Sequence, residues 1–178
     1  MVLAAAVALF MARPTVPVSS VGPDGVAPSD LVARGDTAQG ASFSAYVVTP
    51  DGGFSRLEDG ATVPADHRLK LRLSWTETAS RLDAVWVALV PSEGQPRLTR
   101  LAAPEGRMAA VPGVVSLWGM KPGPVDVYVV ASAVALSESE LQAATASRPT
   151  DEELMRSIQA AGVTRLRVRI EASEAPVP

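Results

Sequence analysis

The stretch RLKLRLS, residues 68–74, alternates a polar side chain with a leucine over its whole length. Successive side chains of a β-strand point to opposite faces of the sheet, so this period of two predicts a strand that is buried on one face only. The three leucines are expected in a core, and Arg68, Lys70 and Arg72 are expected to face solvent. We call residues 68–74 the first basic strand.

A second stretch, TRLRVRI at residues 164–170, repeats the pattern and is called the second basic strand. Its outward cations would be Arg165, Arg167 and Arg169. The six cations are the candidate contact surface, and anionic lipid, polysaccharide or an acidic protein would be its ligand. The alternative is the ordinary solvated face of two strands, or charges that protect a sheet edge. Like charges directly opposite each other destabilise a sheet, so either the strands are not neighbours or acids lie between them.

Further strand signals indicate a mainly β protein. Residues 42–49 (SFSAYVVT) read as a strand that ends at the turn PDGG. Residues 83–91 (DAVWVALVP) are apolar on both faces, which is typical of a strand covered on both sides. Residues 97–103 (RLTRLAA) are expected to return as its paired strand.

The next two strand signals are close together in the chain. Residues 114–118 (VVSLW) and residues 125–132 (VDVYVVAS) are separated by a segment rich in Gly and Pro. We predict a hairpin of these two strands with Pro122-Gly123 at its turn.

Two helix starts follow, SESE at residues 137–140 and TDEE at residues 150–153. Both have capping-box spacing, in which a Ser or Thr accepts from a free backbone N–H and a Glu three residues later bonds back. We expect the first helix to run to about Ala146 and the second to about Ala161, with Gly162 as its C-terminal cap. The predicted fold class is mainly β: an antiparallel β-sandwich-like domain with two C-terminal α-helices and a final strand.

The chain is expected to have four parts. Residues 1–12 (MVLAAAVALFMA) are uncharged but shorter than the roughly 20 residues that span a bilayer, so they read as a partial transmembrane or signal-like segment. A buried helix of a soluble fold is the alternative. Residues 13–41 form a Pro- and Gly-rich flexible linker, residues 42–172 the β-rich domain and residues 173–178 a disordered tail.

Composition removes several classes of function. The formal net charge of -3 disfavours nucleic acid as a partner. With no cysteine and one histidine, disulfides, thiolate catalysis and the common zinc sites are excluded, and we expect no cofactor and no metal. His67 beside Asp66 reads as an exposed loop histidine, and we expect no enzyme activity. A hydrolase would need a pocket that joins His67 to a serine and an acid.

The tryptophans suggest a rival function. Trp86 lies inside an apolar run and is expected in the core. Trp75 and Trp118 lie at strand ends, where an exposed indole could stack on a sugar ring. The chain could therefore be a carbohydrate- or cell-wall-binding β-sandwich module.

The order of the strands resembles a known family. ADHRLKLRLSW, then DAVWVALVPSEGQPRLTRL, then VDVYVVASAVALSESELQAA, within about residues 43–145, is similar to a bacterial extracytoplasmic domain of unknown function. Trp86 takes the place of the family's aromatic residue, Gly94 that of its turn, and Ser132 that of its strand end before Ala135-Leu136. The chain departs from the family in having Ala65-Asp66-His67 where Gly-Asp often precedes the first basic strand.

Such domains follow the single membrane span of anti-sigma-factor-like zinc-finger regulators and of receptor kinases, mainly of the myxobacterial type. The resemblance implies a non-enzymatic sensor or protein-interaction domain of an envelope regulator, with an envelope protein as partner. It also implies a single-pass protein of the inner membrane whose C-terminal domain lies in the periplasm. Residues 1–12 would then be the second half of a span whose first half lies upstream.

Overall fold

The computed structural model describes residues 41–75, 82–106 and 108–173. The membrane or signal-like segment predicted at residues 1–12 lies outside the described residues, as do residues 13–40 of the linker and 174–178 of the tail. Ala41, which we assigned to the linker, is the first residue of a strand that we expected to begin at Ser42. Within the described ranges, no helix is both long and apolar enough to cross a bilayer.

The predicted fold class is confirmed, because most of the described secondary structure is strand and two helices precede a final strand. The strands form two sheets, which we call sheet A and sheet B. Sheet A contains β1 (Ala41–Val48), β2 (Phe54–Arg56), β4 (Arg68–Trp75), β7 (Met108–Ala110) and β8 (Val115–Ser116). Sheet B contains β3 (Thr62–Pro64), β5 (Ala84–Pro91), β6 (Arg97–Ala102), β9 (Gly123–Ser132) and β10 (Gly162–Glu171).

Strand order explains which strands are covered. Sheet A runs β2-β1-β4-β7, with β8 also paired to β4, and sheet B runs β3-β10-β9-β5-β6. All these pairs are antiparallel except β3 with β10, so sheet B is mixed rather than purely antiparallel. As predicted, β6 pairs with β5, and Ala84–Val90 are buried throughout β5.

The main core lies between the two sheets. The three leucines of the first basic strand are at most 1% exposed and share a cluster with Val87 of β5, Val127 of β9 and Val168 of β10. Alternate residues of strands in both sheets therefore face one interior, as the period of two predicts. A fully buried Leu contributes about 1.5–3 kcal/mol of transfer free energy, so this face of β4 is a strong determinant of the fold.

A second core lies on the other face of sheet B, under the helices α1 (Glu138–Thr145) and α2 (Asp151–Ile158). Trp86 and Tyr128 of the sheet pack there with Leu141 of α1 and Leu154 of α2. The prediction that Trp86 lies in the core is confirmed, since it is 6% exposed. The layers are therefore sheet A, sheet B and helices, in that order.

Both predicted capping boxes are present, at Ser137 and Thr150. The predicted end of α2 is wrong: the helix ends at Ile158, and Gln159 takes the left-handed conformation at its C-terminus. Gly162 is instead the first residue of β10. A side chain there would collide with the Ala41 carbonyl, which is a reason for glycine unrelated to capping.

The predicted hairpin of residues 114–118 and 125–132 is also wrong. β8 pairs with β4 in sheet A, whereas β9 pairs with β5 and β10 in sheet B. The segment around Pro122-Gly123 thus carries the chain from one sheet to the other instead of turning it back on itself. The short distance along the chain favoured a hairpin, but burial of apolar residues on opposite sides of the core decides otherwise.

Candidate contact surface

The first basic strand forms the middle of sheet A. β4 pairs with β1 along its whole length on one side and with β7 and β8 on the other. Since its leucines face the core, Arg68, Lys70 and Arg72 lie on the outer face of sheet A. The side chains directly across from them are Val48, Tyr46 and Ser44 of β1, so the three cations line the centre of this face.

Positive charge on this face is not neutralised by its own strands. The strands of sheet A contain no Asp and no Glu, and Arg56 of β2 lies directly opposite Tyr46. Arg68, Lys70 and Arg72 form no salt bridge with any residue that the structure describes. We call the outer side of sheet A, with these three cations at its centre, the basic face.

Two acids that flank the strands of sheet A in the chain lie in turns and are bonded locally. Asp51, in the turn between β1 and β2, accepts a hydrogen bond from the Thr49 hydroxyl, which holds the pKa of Asp51 below its usual range. Asp66, just before β4, lies 2.7 Å from Nδ1 of His67, and this hydrogen bond lowers the pKa of Asp66. Both groups are therefore ionised at neutral pH, but neither pairs with the cations of β4.

Exposed apolar side chains lie around the edge of the basic face. Phe54 of β2 is directly opposite Val48, and Met108 of β7 is directly opposite Ser74, so both point outward. Val114 and Trp118 flank β8 at the end of β4 where Arg68 lies. These are four of the five large hydrophobic residues that are exposed in the described part of the chain.

Trp118 is held in place by its backbone rather than by its ring. Arg97 of β6 donates to the carbonyl oxygens of both Ser116 and Trp118, and the Trp118 amide donates to the Ser116 hydroxyl at 3.2 Å. The adjacent Leu117 is buried, and its amide donates to the His67 carbonyl at 3.1 Å. The indole, which is 71% exposed, is thus presented on a fixed segment.

The second basic strand has a different environment. Arg165 donates from Nε (3.2 Å) and Nη2 (3.0 Å) to Oδ1 of Asp126, a carboxylate that is only 6% exposed. Nε atoms of Arg148 and Arg167 lie 3.8 and 3.9 Å from the same carboxylate. Burying this carboxylate is tolerable because a guanidinium is directly bonded to it.

Arg165 and the neighbouring Tyr128 also hold the connection between the two helices in place. The Tyr128 hydroxyl donates to the Pro149 carbonyl at 2.9 Å, and the Arg165 guanidinium lies 5.4 Å from the centre of the Tyr128 ring. Burial raises the pKa of Tyr128, and burial likewise raises the pKa of Asp151, whose Oδ2 accepts from the Arg165 amide. These contacts join the start of α2 to β9 and β10, so Arg165 and Asp126 have a structural role.

The structure does not bring the six predicted contact residues together. β4 and β10 are in different sheets and direct their aliphatic residues into the same core, so their cations point away from each other. Arg68, Lys70 and Arg72 lie on the basic face, while Arg165, Arg167 and Arg169 lie on the outer side of sheet B. Asp126 was not among the predicted site residues. Its place in the mainly apolar stretch VDVYVVAS could have predicted it, because a charged side chain in a buried strand needs a partner of opposite charge.

Trp75 and Trp118, the predicted sugar-stacking pair, lie at opposite ends of β4. Seven strand steps separate Trp75 from Arg68, which is about 23 Å at 3.3 Å per residue. Trp75 is partly buried against the main core and lines a cleft of about 710 Å³ with Asp83 and Arg100, which form an ion pair of 2.9 Å. One glycan ring could not contact both tryptophans.

His67 is partly buried, not exposed as predicted, with a side chain that is 16% accessible. It lines neither the cleft beside Trp75 nor the cleft of about 220 Å³ around Asp126. In the described ranges, no three potential metal-ligating side chains (His, Cys, Asp or Glu) are grouped so that they could hold an ion. Asp66 contacts the His67 ring and also takes part in a hydrogen bond with the Ser173 side chain, but among the described residues no hydrogen bond joins a serine hydroxyl to the imidazole, as a catalytic triad would require.

Comparison with known proteins adds no family to this description. No family model matches the chain, and no curated protein matches it.

Proposed function

We propose that this protein is a non-enzymatic sensor or interaction domain of a membrane-anchored envelope regulator, and that the basic face is its contact surface. The resemblance of residues 43–145 to extracytoplasmic domains supports the compartment and the anchored arrangement. An envelope protein is the partner that this resemblance implies. The domain would lie in the periplasm, joined to the inner membrane through residues 1–12 and the linker.

One observation carries the choice of surface: the three cations of β4 form no salt bridge with any residue that the structure describes, whereas Arg165 of β10 is bonded to a buried carboxylate. Cations that lie together on one face of a sheet attract an anionic partner over about 8 Å at physiological ionic strength. Arg165 and Arg167 of β10 are already neutralised in part by Asp126, and removal of Arg165 would damage the fold.

The compartment is tested by expressing the full chain with a C-terminal tag, fractionating the cells and treating spheroplasts with protease. A membrane-bound, protease-accessible tag is expected. A soluble tag that is protected inside spheroplasts would contradict the anchored arrangement and remove most of the support from the resemblance.

The contact surface is tested with a photo-crosslinking amino acid at Ser44, which lies directly opposite Arg72. The matched control is the same amino acid at Ala143, an exposed position on α1. Crosslinks from position 44 that are absent from position 143, and that disappear in Arg68→Gln/Arg72→Gln, would support the basic face. Equal crosslinking from both positions would contradict it.

The carbohydrate- or cell-wall-binding module remains a second proposal because of the cleft beside Trp75. Its wall combines an aromatic face with Asp83 and Arg100, which is the kind of lining that sugar hydroxyls bind. Glycan binding that is abolished by Trp75→Ala but unaffected by Arg68→Gln/Arg72→Gln would favour this function over the first.

A further inference from the structure

We propose that the basic face docks on an anionic lipid surface, so that the domain lies with sheet A against the headgroups of the membrane that anchors it. The inference rests on the proposed function for the presence of a membrane nearby. It goes further by naming the ligand of the basic face and the orientation of the domain.

The arrangement of charge and apolar surface favours lipid over a protein partner. A protein–protein interface has an apolar centre that is depleted of charge and a polar rim. The basic face has the reverse, with Arg68, Lys70 and Arg72 at its centre and exposed apolar side chains around it. Cations beside a phosphate layer, with aromatic and aliphatic side chains that enter the boundary with the acyl chains, are typical of proteins bound at a membrane surface.

The exposed apolar side chains around the edge of the basic face are suited to shallow insertion into a bilayer. Trp118 is 71% exposed, and its indole is the side chain most favoured at the headgroup level of a bilayer. Phe54 and Met108 project from the two edges of sheet A, on the same side as the cations. Because these side chains lie at separate points of the rim, they could support a flat orientation rather than a single point of contact.

On the opposite side of the domain, acids of the helices accompany Arg156 of α2 and the arginines of β10. The helices α1 and α2, which cover the outer side of sheet B, hold five acids in their first turns: Glu138, Glu140, Asp151, Glu152 and Glu153. Two packed sheets and a helix layer separate these acids from the basic face, a distance larger than the Debye length of about 8 Å in physiological salt. Cations without acids on their own strands are therefore found on the basic face, and this is the side that an anionic membrane would attract.

The cations of the basic face are expected to contribute strongly to the affinity for anionic lipid. Each Lys or Arg held near an anionic membrane strengthens binding about fivefold. Removal of two arginines is then expected to weaken binding about 30-fold. Since the attraction is electrostatic, it should also weaken as salt is raised.

The test uses the full chain and vesicles of phosphatidylcholine with or without phosphatidylglycerol. The chain has no cysteine, so a fluorophore that reports on polarity can be attached to one introduced residue. Ser44→Cys places it on the basic face and Ala143→Cys places it on α1, with residues 1–12 identical in both. We expect a blue shift only for the label at position 44, and only with phosphatidylglycerol.

The variant Arg68→Gln/Arg72→Gln should reduce affinity for the anionic vesicles about 30-fold. Arg156→Gln/Arg169→Gln is the matched control, because it removes two exposed arginines on the other side of the molecule and should change binding less than threefold. Equal losses in the two double variants would overturn the proposal, since net charge alone would then explain the binding.

Failure of this proposal can be told apart from failure of the proposed function. If the label at position 44 stays in water on anionic vesicles, lipid docking is wrong. Crosslinks from position 44 to a protein in cells would then leave the contact surface standing, with an acidic protein as its partner. If the tagged chain is soluble and protected in the cytoplasm, the compartment is wrong whatever the vesicles show.

Discussion

Gly162 and Ala41 approach so closely that a Cβ on Gly162 would lie 2.1 Å from the Ala41 carbonyl oxygen. The Ala41 amide also donates a hydrogen bond to the carbonyl of Ala161, the residue before Gly162, at 3.2 Å. The first strand of sheet A and the last strand of sheet B are thus joined at their beginnings, which closes one corner of the sandwich.

Gly162→Ala is therefore expected to lower the free energy of unfolding by about 1–3 kcal/mol, the usual cost of forcing extra volume into a packed site. Urea unfolding measures it. Gly53→Ala is the control, because the atom that its Cβ would meet is the Thr49 hydroxyl, which can turn away. A change at Gly162 no larger than that at Gly53 would show that this corner adjusts freely.

Asp126→Ala should destabilise the domain by about 3 kcal/mol, because it leaves Arg165 partly buried with no carboxylate. Urea unfolding is again the measurement. Asp83→Ala is the matched control: it breaks the exposed ion pair with Arg100 and should cost less than about 1 kcal/mol. Similar losses for both variants would contradict a structural role for Asp126.

The capping box at Thr150 predicts a pH dependence. Hydrogen bonds from the Thr150 amide and hydroxyl hold the pKa of Glu153 below its ordinary value of 4.5. A lowered folded-state pKa stabilises the fold fully above pH 4.5, and this contribution is lost as pH falls through the folded-state value. Thr150→Ala should cost about 1 kcal/mol at neutral pH.

The NMR titration of Glu153 checks this directly. In Thr150→Ala its pKa should rise toward 4.5, and the loss of stability between pH 7 and pH 3 should become smaller. An unchanged titration of Glu153 would mean that the capping box does not persist in solution.

Variants of the basic face should retain their stability. Arg68→Gln and Arg72→Gln each alter an exposed or partly exposed side chain with no salt bridge among the described residues, so each is expected to change the free energy of unfolding by less than about 0.5 kcal/mol. Leu71→Ala, one residue away on the buried face, should cost about 2–5 kcal/mol. Thermal unfolding of these variants establishes that any loss of vesicle binding is not caused by unfolding.

Tryptophans at different places in the fold are expected to affect different properties. Trp118→Ala should leave the free energy of unfolding nearly unchanged, whereas Trp86→Ala should lower it by about 3–5 kcal/mol because the Trp86 ring is buried under the helices. If glycan binding is found, Trp75→Ala and Trp118→Ala should not both abolish it, because the two side chains lie at opposite ends of β4, a strand about 23 Å long. Loss of binding in both variants would require a ligand that spans the whole of β4.

Most of the local structure follows from short stretches of sequence. The alternation of cations and leucines in the two basic strands set which side of each faces a core, since the period of a strand is two. The apolar stretch of β5 set its burial on both faces, and two capping boxes set where α1 and α2 begin, because such a cap depends on residues only three positions apart in the chain.

Which strands share a sheet depends on packing between parts of the chain that are distant in sequence. A period of two states that one face is buried, but it contains nothing about the neighbouring strand, and so β8 and β9 were expected to pair when they lie in different sheets. For the same reason the sequence could not tell that the cations of β4 and β10 point in opposite directions. The two sets of cations also differ in their partners. The buried carboxylate of Asp126 is bonded to Arg165 of β10, whereas the strands of sheet A contain no acid that could pair with Arg68, Lys70 and Arg72.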